Sequence, residues 1–599
     1  MKSTKLTRLA VTATFAVLTI PTLISAEKQA NEGHHVKHLH YKLIDLGTFG
    51  GPLSFVAGSN GQNDAVNRVL NNEGTVVGWG DTSTLDPFAP NCFEPFPNVG
   101  PCFLPLAFQW QKGVLTNLGA LPDGDASSTT WISDSGLISG QARNGLMDPL
   151  LPGLPEIRAV LWKDGEAIDL GTLGGNESSA FSVNNRGQVV GVAVNAIPDP
   201  FSFFATQLRA FLWQDGTMQD LGTLGGPEAW ALFVNERGQV AGFSMINAIV
   251  NPTTLSPTTD SFLWEDGTML DLGTLGGTFS SPYSLNNRGQ VVGSSNLRGD
   301  PGCPNSCYAH PFLWDQGVLK DLGTFGGNFG IAEGINDSRE VVGWATKKND
   351  QAVLAFRWKD GVMTNLGTLN GDDCSAAFHI NSRGQIVGIS FPCAGGPVHG
   401  FLWQNGFMTD LNVFAPHGSS LATWGDGIFI NDRGGIAGVR VLSDGDLHAF
   451  LLVPCGNGEE GCLDAVEGAT AVTPNVFAHA AGTPTTSIQR QLTPAGMLAG
   501  WRAWYRIPSL GTTMNTDNAV GGPQTMPLSN VGGTAKLTGK CVHMVSLIPL
   551  LCAATADTTQ CPPGQRAINP VGERCGVEGF EVDDLRRCDS GGKCQASAQ

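Results

Sequence analysis

The chain has 599 residues, long enough for a repeat array with appendages, and its 41% hydrophobic content supports a large core. Only 15% of residues are charged, against roughly 25% in typical soluble domains, and 79 are glycine, the balance of a turn-rich β protein. The net charge of −18 excludes a nucleic-acid binder, because neutralising phosphates takes clustered Lys and Arg.

Residues 1–26, MKSTKLTRLAVTATFAVLTIPTLISA, read as a secretory signal peptide. Lys2, Lys5 and Arg8 precede an apolar stretch from Leu9 to Leu23, and Ser25-Ala26 is a small-residue exit. No later segment has the roughly 18 uninterrupted apolar residues of a membrane span. The expectation is therefore a chain cleaved near Ala26, secreted or periplasmic, with no membrane span afterwards. Residues 27–40 follow as a His-rich leader (His34, His35, His38, His40), read as mobile chain and not as a metal site.

From residue 41 to 454 three signatures recur in fixed order. DLGTFGG stands at 45–51 and 321–327, and DLGTLGG at 169–175, 220–226 and 271–277, with weaker copies at 117–124 and 365–371. A turn signature follows each: NNEG at 71, SDSG at 133, NNRG at 184, NERG at 235, NNRG at 286, NDSR at 336, NSRG at 381 and NDRG at 431. The third ends in Trp110, Trp162, Trp213, Trp264, Trp314, Trp358 and Trp403, at steps of 52, 51, 51, 50, 44 and 45, with Leu452 taking the eighth place 49 residues on. A period near 50 with several short strands per unit means a solenoid or a propeller.

Four extended segments read in each unit, A to D, as at 232–235, 239–243, 210–213 and 218–221. Asp-Gly or Asn-Gly joins C to D at Asp164-Gly165, Asp215-Gly216, Asp266-Gly267, Asp360-Gly361 and Asn405-Gly406, a strong two-residue hairpin signal. Each unit is thus an up-and-down, four-stranded antiparallel blade. The first strand, Lys42 to Leu46, is a D segment without A, B or C; the last unit has A (428–430), B (435–439) and C (449–453) but no D. A ring whose N-terminal strand completes the final blade explains both, whereas an open array leaves two exposed edges. The expected fold is all-β, an eight-bladed β-propeller, or seven-bladed if one weak copy is not a blade.

The seven tryptophans at one phase read as inter-blade core. The Asn of NxRG reads as a self-bonding turn residue, not a calcium ligand, since no carboxylate series accompanies it. Strand parity puts the tight NxRG and xDG turns on one face. The D–A connectors lie on the other with the insertions 81–105, 141–158, 193–209, 245–260 and 295–309, and variable loops on a rigid scaffold are where recognition resides. Phe88, Phe93, Phe96, Phe103, Phe201, Phe203 and Phe204 in those insertions are the candidate binding residues. Outside the cytosol cysteines favour disulfides, and spacing pairs Cys92 with Cys102, Cys303 with Cys307, Cys374 with Cys393 and Cys455 with Cys462. Cys541, Cys552, Cys561, Cys575, Cys588 and Cys594 leave 15 pairings open. No G-x-S-x-G, H-E-x-x-H, EF-hand or P-loop pattern occurs, so no catalytic residue, metal or cofactor is expected. Residues 455–492 read as a linker and 493–508 as a short amphipathic helix with Met497, Leu498, Trp501, Trp504 and Tyr505 on one side. Residues 509–599 read as a Cys-containing, partly disordered region.

The DLGTLGG…NxRGQVVG…AFLWxDG order resembles the HAF extracellular repeat family of secreted bacterial proteins, over about residues 41–453. The resemblance implies secretion and a repeat architecture and brings no activity. The first two copies depart from it, with long insertions and SDSG in place of NxRG. The reading is a monomeric, secreted, non-catalytic propeller that binds an extracellular protein or glycan. The alternatives are a carbohydrate-active enzyme with a shallow site on the insertion face and a purely structural cell-surface protein. An enzyme is expected to converge acidic or His side chains on the channel mouth; a binder is expected to show no perturbed acid pair.

Overall fold

The computed structural model describes residues 38–56, 68–88, 102–149, 153–199, 206–251, 256–299, 308–369, 371–394, 397–415, 428–456 and 458–466, with a few short stretches besides. The signal peptide, leader residues 27–37, the 493–508 segment, Cys92, Cys303, Cys307, Phe96, Phe201, Phe203 and Phe204 lie outside the described residues.

All five Asp-Gly and Asn-Gly pairs named above take positive φ at both positions, so each C strand turns straight into its D strand. Lys112-Gly113 and Gln316-Gly317 adopt the same turn. The pairings gather the strands into antiparallel sets of four. Blade one is Gly50–Val56, Val76–Leu85, Phe103–Gln111 and Val114–Asn117. Blade two is Ser127–Ile132, Ile138–Met147, Pro155–Lys163 and Glu166–Asp169. Blade three is Gly174–Val183, Val189–Pro198, Thr206–Gln214 and Thr217–Asp220. Blade four is Ala229–Val234, Val240–Asn251, Ser256–Glu265 and Thr268–Gly273. Blades five, six and seven repeat the pattern from Gly276, Gly326 and Cys374. Blade eight is Phe429–Ile430, Ile436–Val441, Leu447–Pro454 and, out of order, His38–Asp45. The N-terminal strand closes the ring, with Tyr41 opposite Pro454 and Asp45 opposite Phe450.

Closure is visible again in the turn signatures. The Asn431 side-chain amide donates to the Asn71 carbonyl at 2.8 Å, and Asn71 donates to Ser133. Asn184, Asn235, Asn286, Asn336 and Asn381 each donate to the carbonyl of the corresponding residue one blade on, at 2.9–3.1 Å. Each Asn also accepts from its own turn, as at Arg186 N and Gln188 N. The local Asx turn expected from the sequence is therefore half of the role; the other half joins neighbouring blades.

Two boundaries differ from the sequence reading. Residues 38–40 belong to the closing strand and not to the leader. Leu463–Val466 adds a fifth strand beside His38–Tyr41, and the intervening Cys455–Cys462 disulfide clips that return, so the fold reaches past 454 into the expected linker.

The core is organised by phenylalanine more than by tryptophan. Phe108, Phe211, Phe262, Phe312, Phe356, Phe401 and Phe450 stand two positions before seven of the eight Trp places, with Val160 at that position in blade two, and all are fully buried. Of the seven repeat tryptophans six are buried and Trp403 is half-buried. Phe211 lies opposite Gly191 in the ladder, and a Cβ on Gly191 would sit 2.0 Å from the Ser179 carbonyl oxygen. The glycine of each VVG run thus lets the A strand and the Phe ring close on the B strand.

The DLGTLGG connector is equally structural. Asp169 accepts from Gly171 N at 2.8 Å, an Asx turn that sets the positive φ of Gly171. Ser178 then donates to the Gly171 carbonyl and accepts from Ala159 N, binding the connector to the neighbouring C strand.

Candidate functional site

The insertions of blades one to four are mostly not loops. In each, B and C strands continue as a projecting ribbon beyond a register shift, at Asp81/Leu85, Arg143/Met147, Val194/Pro198 and Met245/Val250. Ribbon pairing ends at Leu85–Phe103, Met147–Pro155, Pro198–Thr206 and Asn251–Ser256. The shift turns successive side chains outward, and the ribbons expose Leu85 (58%), Leu146 (58%), Met147 (49%), Ile197 (55%) and Ile249 (76%). Isolated exposed aliphatics are ordinary; Leu146, Ile197 and Ile249 hold the same position in three adjacent blades, where blade one has Thr84 and exposes Leu85 one residue on, and that repetition is a surface feature.

Beneath the ribbons stands Asp86, Asp148 or Asp199, each followed by proline and each buried. Blade one completes its acid with a cation. Arg143 of blade two grips Asp86 through both nitrogens, at 2.9 and 3.2 Å, and reaches Asp125 at 3.1 Å. Asp86 also accepts from Phe88 N and Phe93 N, and both Phe rings lie over the guanidinium, 4.7 and 5.4 Å from its carbon.

Blades two to four complete theirs with a second acid. Glu177, at the start of blade three, hydrogen-bonds to Asp148 while its Oε2 accepts from Ile157 N at 3.0 Å. Burial, reinforced by the charges of Asp148 and Glu156, holds its carboxyl well above the usual range. Glu228 occupies the same place one blade on. Burial lifts it to about 7, with Asp199 adding to the rise and hydrogen bonds from Ser202 and Leu208 N opposing it. In blade four Asp260 hydrogen-bonds to Asp271, and burial followed by the Asp271 charge lifts it to about 7. The equivalent of Asp260 is a base elsewhere: Arg209 faces Asp220 at 3.1 Å, His310 faces Asp321 at 3.0 Å and His448 faces Asp45 at 2.9 Å. Where the C-strand residue is Leu106 or Leu354, the facing acid is replaced by Asn117 or Asn365.

Perturbed acid pairs therefore exist, contrary to the expectation for a binder. Their geometry does not fit glycoside hydrolysis. The carboxyls of Glu177–Asp148 and Asp260–Asp271 hydrogen-bond directly and so are closer than the roughly 5 Å of a retaining pair or the 6.5–9.5 Å of an inverting one. Glu177, Asp148, Glu228 and Asp199 are also sealed from solvent. Among the described residues the only convergent trios of metal-ligating side chains are built on Cys374 and Cys393, or Cys455 and Cys462, whose sulfurs are disulfide-bonded. No helix among them is long and apolar enough to cross a membrane.

Of the candidate binding residues, Phe93 is buried, Phe88 half-buried over Arg143, and Phe103 half-buried at the ribbon end. Cys374–Cys393 and Cys455–Cys462 are bonded as paired by spacing, and Cys102 is disulfide-bonded. Sequence reasoning missed the aliphatic ribbon ends and the Asp-Pro steps. The repeated D-P at 86–87, 148–149 and 199–200 was the signal available.

No family description matches the sequence, and no curated protein does. Solved structures similar to it include three propeller proteins. The β-propeller domain of the trilobed protease from Pyrococcus furiosus has 12% identity and a TM-score of 0.33, over 51% of this chain and 89% of that one. TolB from Acinetobacter baumannii has 12% identity and 0.26, over 46% and 66%. A gluconolactonase from Xanthomonas campestris has 13% and 0.23, over 45% and 83%. Likeness at this level says nothing about activity.

Proposed function

We propose that the chain is a secreted, non-catalytic member of the HAF-type repeat proteins that binds an extracellular protein through the ribbons of blades one to four. One observation carries this reading: Leu146, Ile197 and Ile249 repeat an exposed aliphatic position across three neighbouring blades, with Leu85 and Met147 exposed one residue on in blades one and two. Aliphatic side chains bury well against another protein's apolar surface and give no stacking platform for sugar rings, which favours a protein over a glycan. The two disulfides support an oxidising compartment.

The test is a screen of the mature chain against extracellular proteins and glycans, repeated with Leu146→Ser, Ile197→Ser and Ile249→Ser combined. Each truncation removes part of the roughly 1.5–3 kcal/mol that a fully buried aliphatic contributes. A protein partner should therefore lose at least about a hundredfold in affinity, with the melting temperature unchanged. Undiminished binding by the triple variant overturns the assignment.

A further inference from the structure

We propose that the ribbons of blades two, three and four are latched by protons, one held on the buried acid pair at each ribbon, and that losing these protons loosens the ribbons. The inference rests on the binding reading only for its biological use; the latch itself is a property of the free chain.

The argument starts from charge balance. Asp86 and Asp148 hold the same post below adjacent ribbons, each closing its ribbon by backbone bonds, Asp86 N to Cys102 O and Asp148 N to Leu154 O. Asp86 has its counter-charge on the chain, Arg143. Val194 and Met245 stand at the register position of Arg143 in the next two blades, so the chain puts no cation there. Instead Glu177 and Glu228 project at the acids. Glu177 and Asp148 are hydrogen-bonded to each other and so require a proton between them, because an ionised carboxylate has no donor; Glu228 is bonded to the Ser202 hydroxyl and Leu208 N and is held protonated by burial and by the charge of Asp199. The blade-four pair reaches the same state by another route, with Asp260 where blades three, five and eight carry Arg209, His310 and His448.

The groups facing each acid define the pH range. Glu177 meets Asp148, Glu156 and Ile157 N; the cation nearest by, Arg158, is committed to Glu156 at 2.8 Å. Glu228 meets Asp199, the Ser202 hydroxyl and Leu208 N. Asp260 meets Asp271. All three carboxyls are raised in the fold, so their stabilisation is complete below the unfolded carboxylate value; it is lost as pH rises through about 7 for Glu228 and Asp260, and as pH rises through the raised value of Glu177 in blade two. Above these values each pair carries two negative charges at the base of its ribbon.

The experiment is amide hydrogen exchange of the full mature chain at about pH 5.5 and about pH 8, corrected for intrinsic rates. Segments 138–163, 189–214 and 240–265 are compared with 341–359 and 386–404 as internal controls. Protection of the first three should fall at least about tenfold at the higher pH while the controls hold. In the variant with Glu177→Gln, Glu228→Gln and Asp260→Asn, the new amides at 177 and 260 supply the donor without a titrating proton and the one at 228 removes the charge facing Asp199, so protection should persist at pH 8. Asp260→Asn alone should rescue only 240–265, which keeps the test decisive if the triple variant folds poorly. Identical pH profiles for the wild type and Asp260→Asn overturn the latch. So does restoration of wild-type protection at pH 8 by calcium chloride, which would make the counter-charge a metal. The readout involves no partner, so failure of the binding screen leaves it standing, and the reverse.

Discussion

Replacing Arg143 by Met keeps the aliphatic stem and deletes the guanidinium at the joint between blades one and two. Both partners are sealed: the side chains of Arg143 and Asp86 are 3% and 0% exposed. Removing one member of a buried pair costs roughly 3–5 kcal/mol, because the other charge stays behind in low dielectric. Asp86 keeps the Phe88 and Phe93 amides as donors, which places the loss near the lower end. The cation–π contacts with the two rings add roughly 0.5–1 kcal/mol each. The sum is about 4 kcal/mol. With an unfolding entropy of about 2.1 cal/mol/K per residue over roughly 400 residues, this lowers the melting temperature by about 5 °C. Thermal unfolding followed by tryptophan fluorescence measures it. Arg433→Met, which breaks the exposed Arg433–Glu73 pair, is the control and should cost at most about 1 kcal/mol. Adding Asp86→Asn to Arg143→Met should return part of the loss by removing the stranded charge. If Arg143→Met melts within about 1 °C of Arg433→Met, the clamp is not an energetic feature of the joint and the argument fails.

Gly191→Ala should abolish folding or cost more than about 3 kcal/mol in urea titration, since its Cβ would meet the Ser179 carbonyl; Gly216→Ala, with open space but positive φ, should cost about 1 kcal/mol. Asn431→Ala should cost about 1–3 kcal/mol and raise proteolytic cleavage near residue 38, because it frees the Asn71 carbonyl and undoes its own turn. Acid should release the closing strand late. Burial tends to raise the Asp45 carboxyl, but hydrogen bonds from His448 and Gly47 N and the charges of His448 and Arg440 outweigh it and hold the carboxyl at about 2. Its stabilisation is present above the unfolded value and is lost as pH falls through about 2, visible as exchange in 38–45. Cys374→Ser should lower stability by about 2–4 kcal/mol through the 19-residue loop it reopens, measured against the oxidised wild type.

The ring was legible because its signals are local and repeated. Asp215-Gly216 announces a hairpin in two residues, and an orphan first strand with a missing last one implies closure without any tertiary information. The Trp period located the blades and their buried tryptophans but gave no sign of the more deeply buried Phe two positions earlier. What seats Phe211 is Gly191 opposite it, a contact that exists only once B and C are paired. The site was less legible for the same reason. Nothing in MDPLLPG says whether Asp148 meets a base or an acid; that depends on Glu177, 29 residues away and in another blade. The insertions looked like loops because their polar and aliphatic residues alternate irregularly, an effect of the register shift that lets them run on as strands.

The Asn relay around the tight-turn face has one break among the described residues. Ser133 holds the Asn place in blade two and is too short to reach the Asn184 carbonyl; Ser135 N bonds to Asn185 Oδ1 instead. A circle tied at seven of its eight joints has a preferred place to part. It is not blade eight, where the chain itself is discontinuous, but the joint between blades two and three, where Asp148 and Glu177 also meet. Mechanical load or insertion of a foreign segment should therefore be felt first inside the continuous chain. Circular permutants opened at that joint should disturb the ring least.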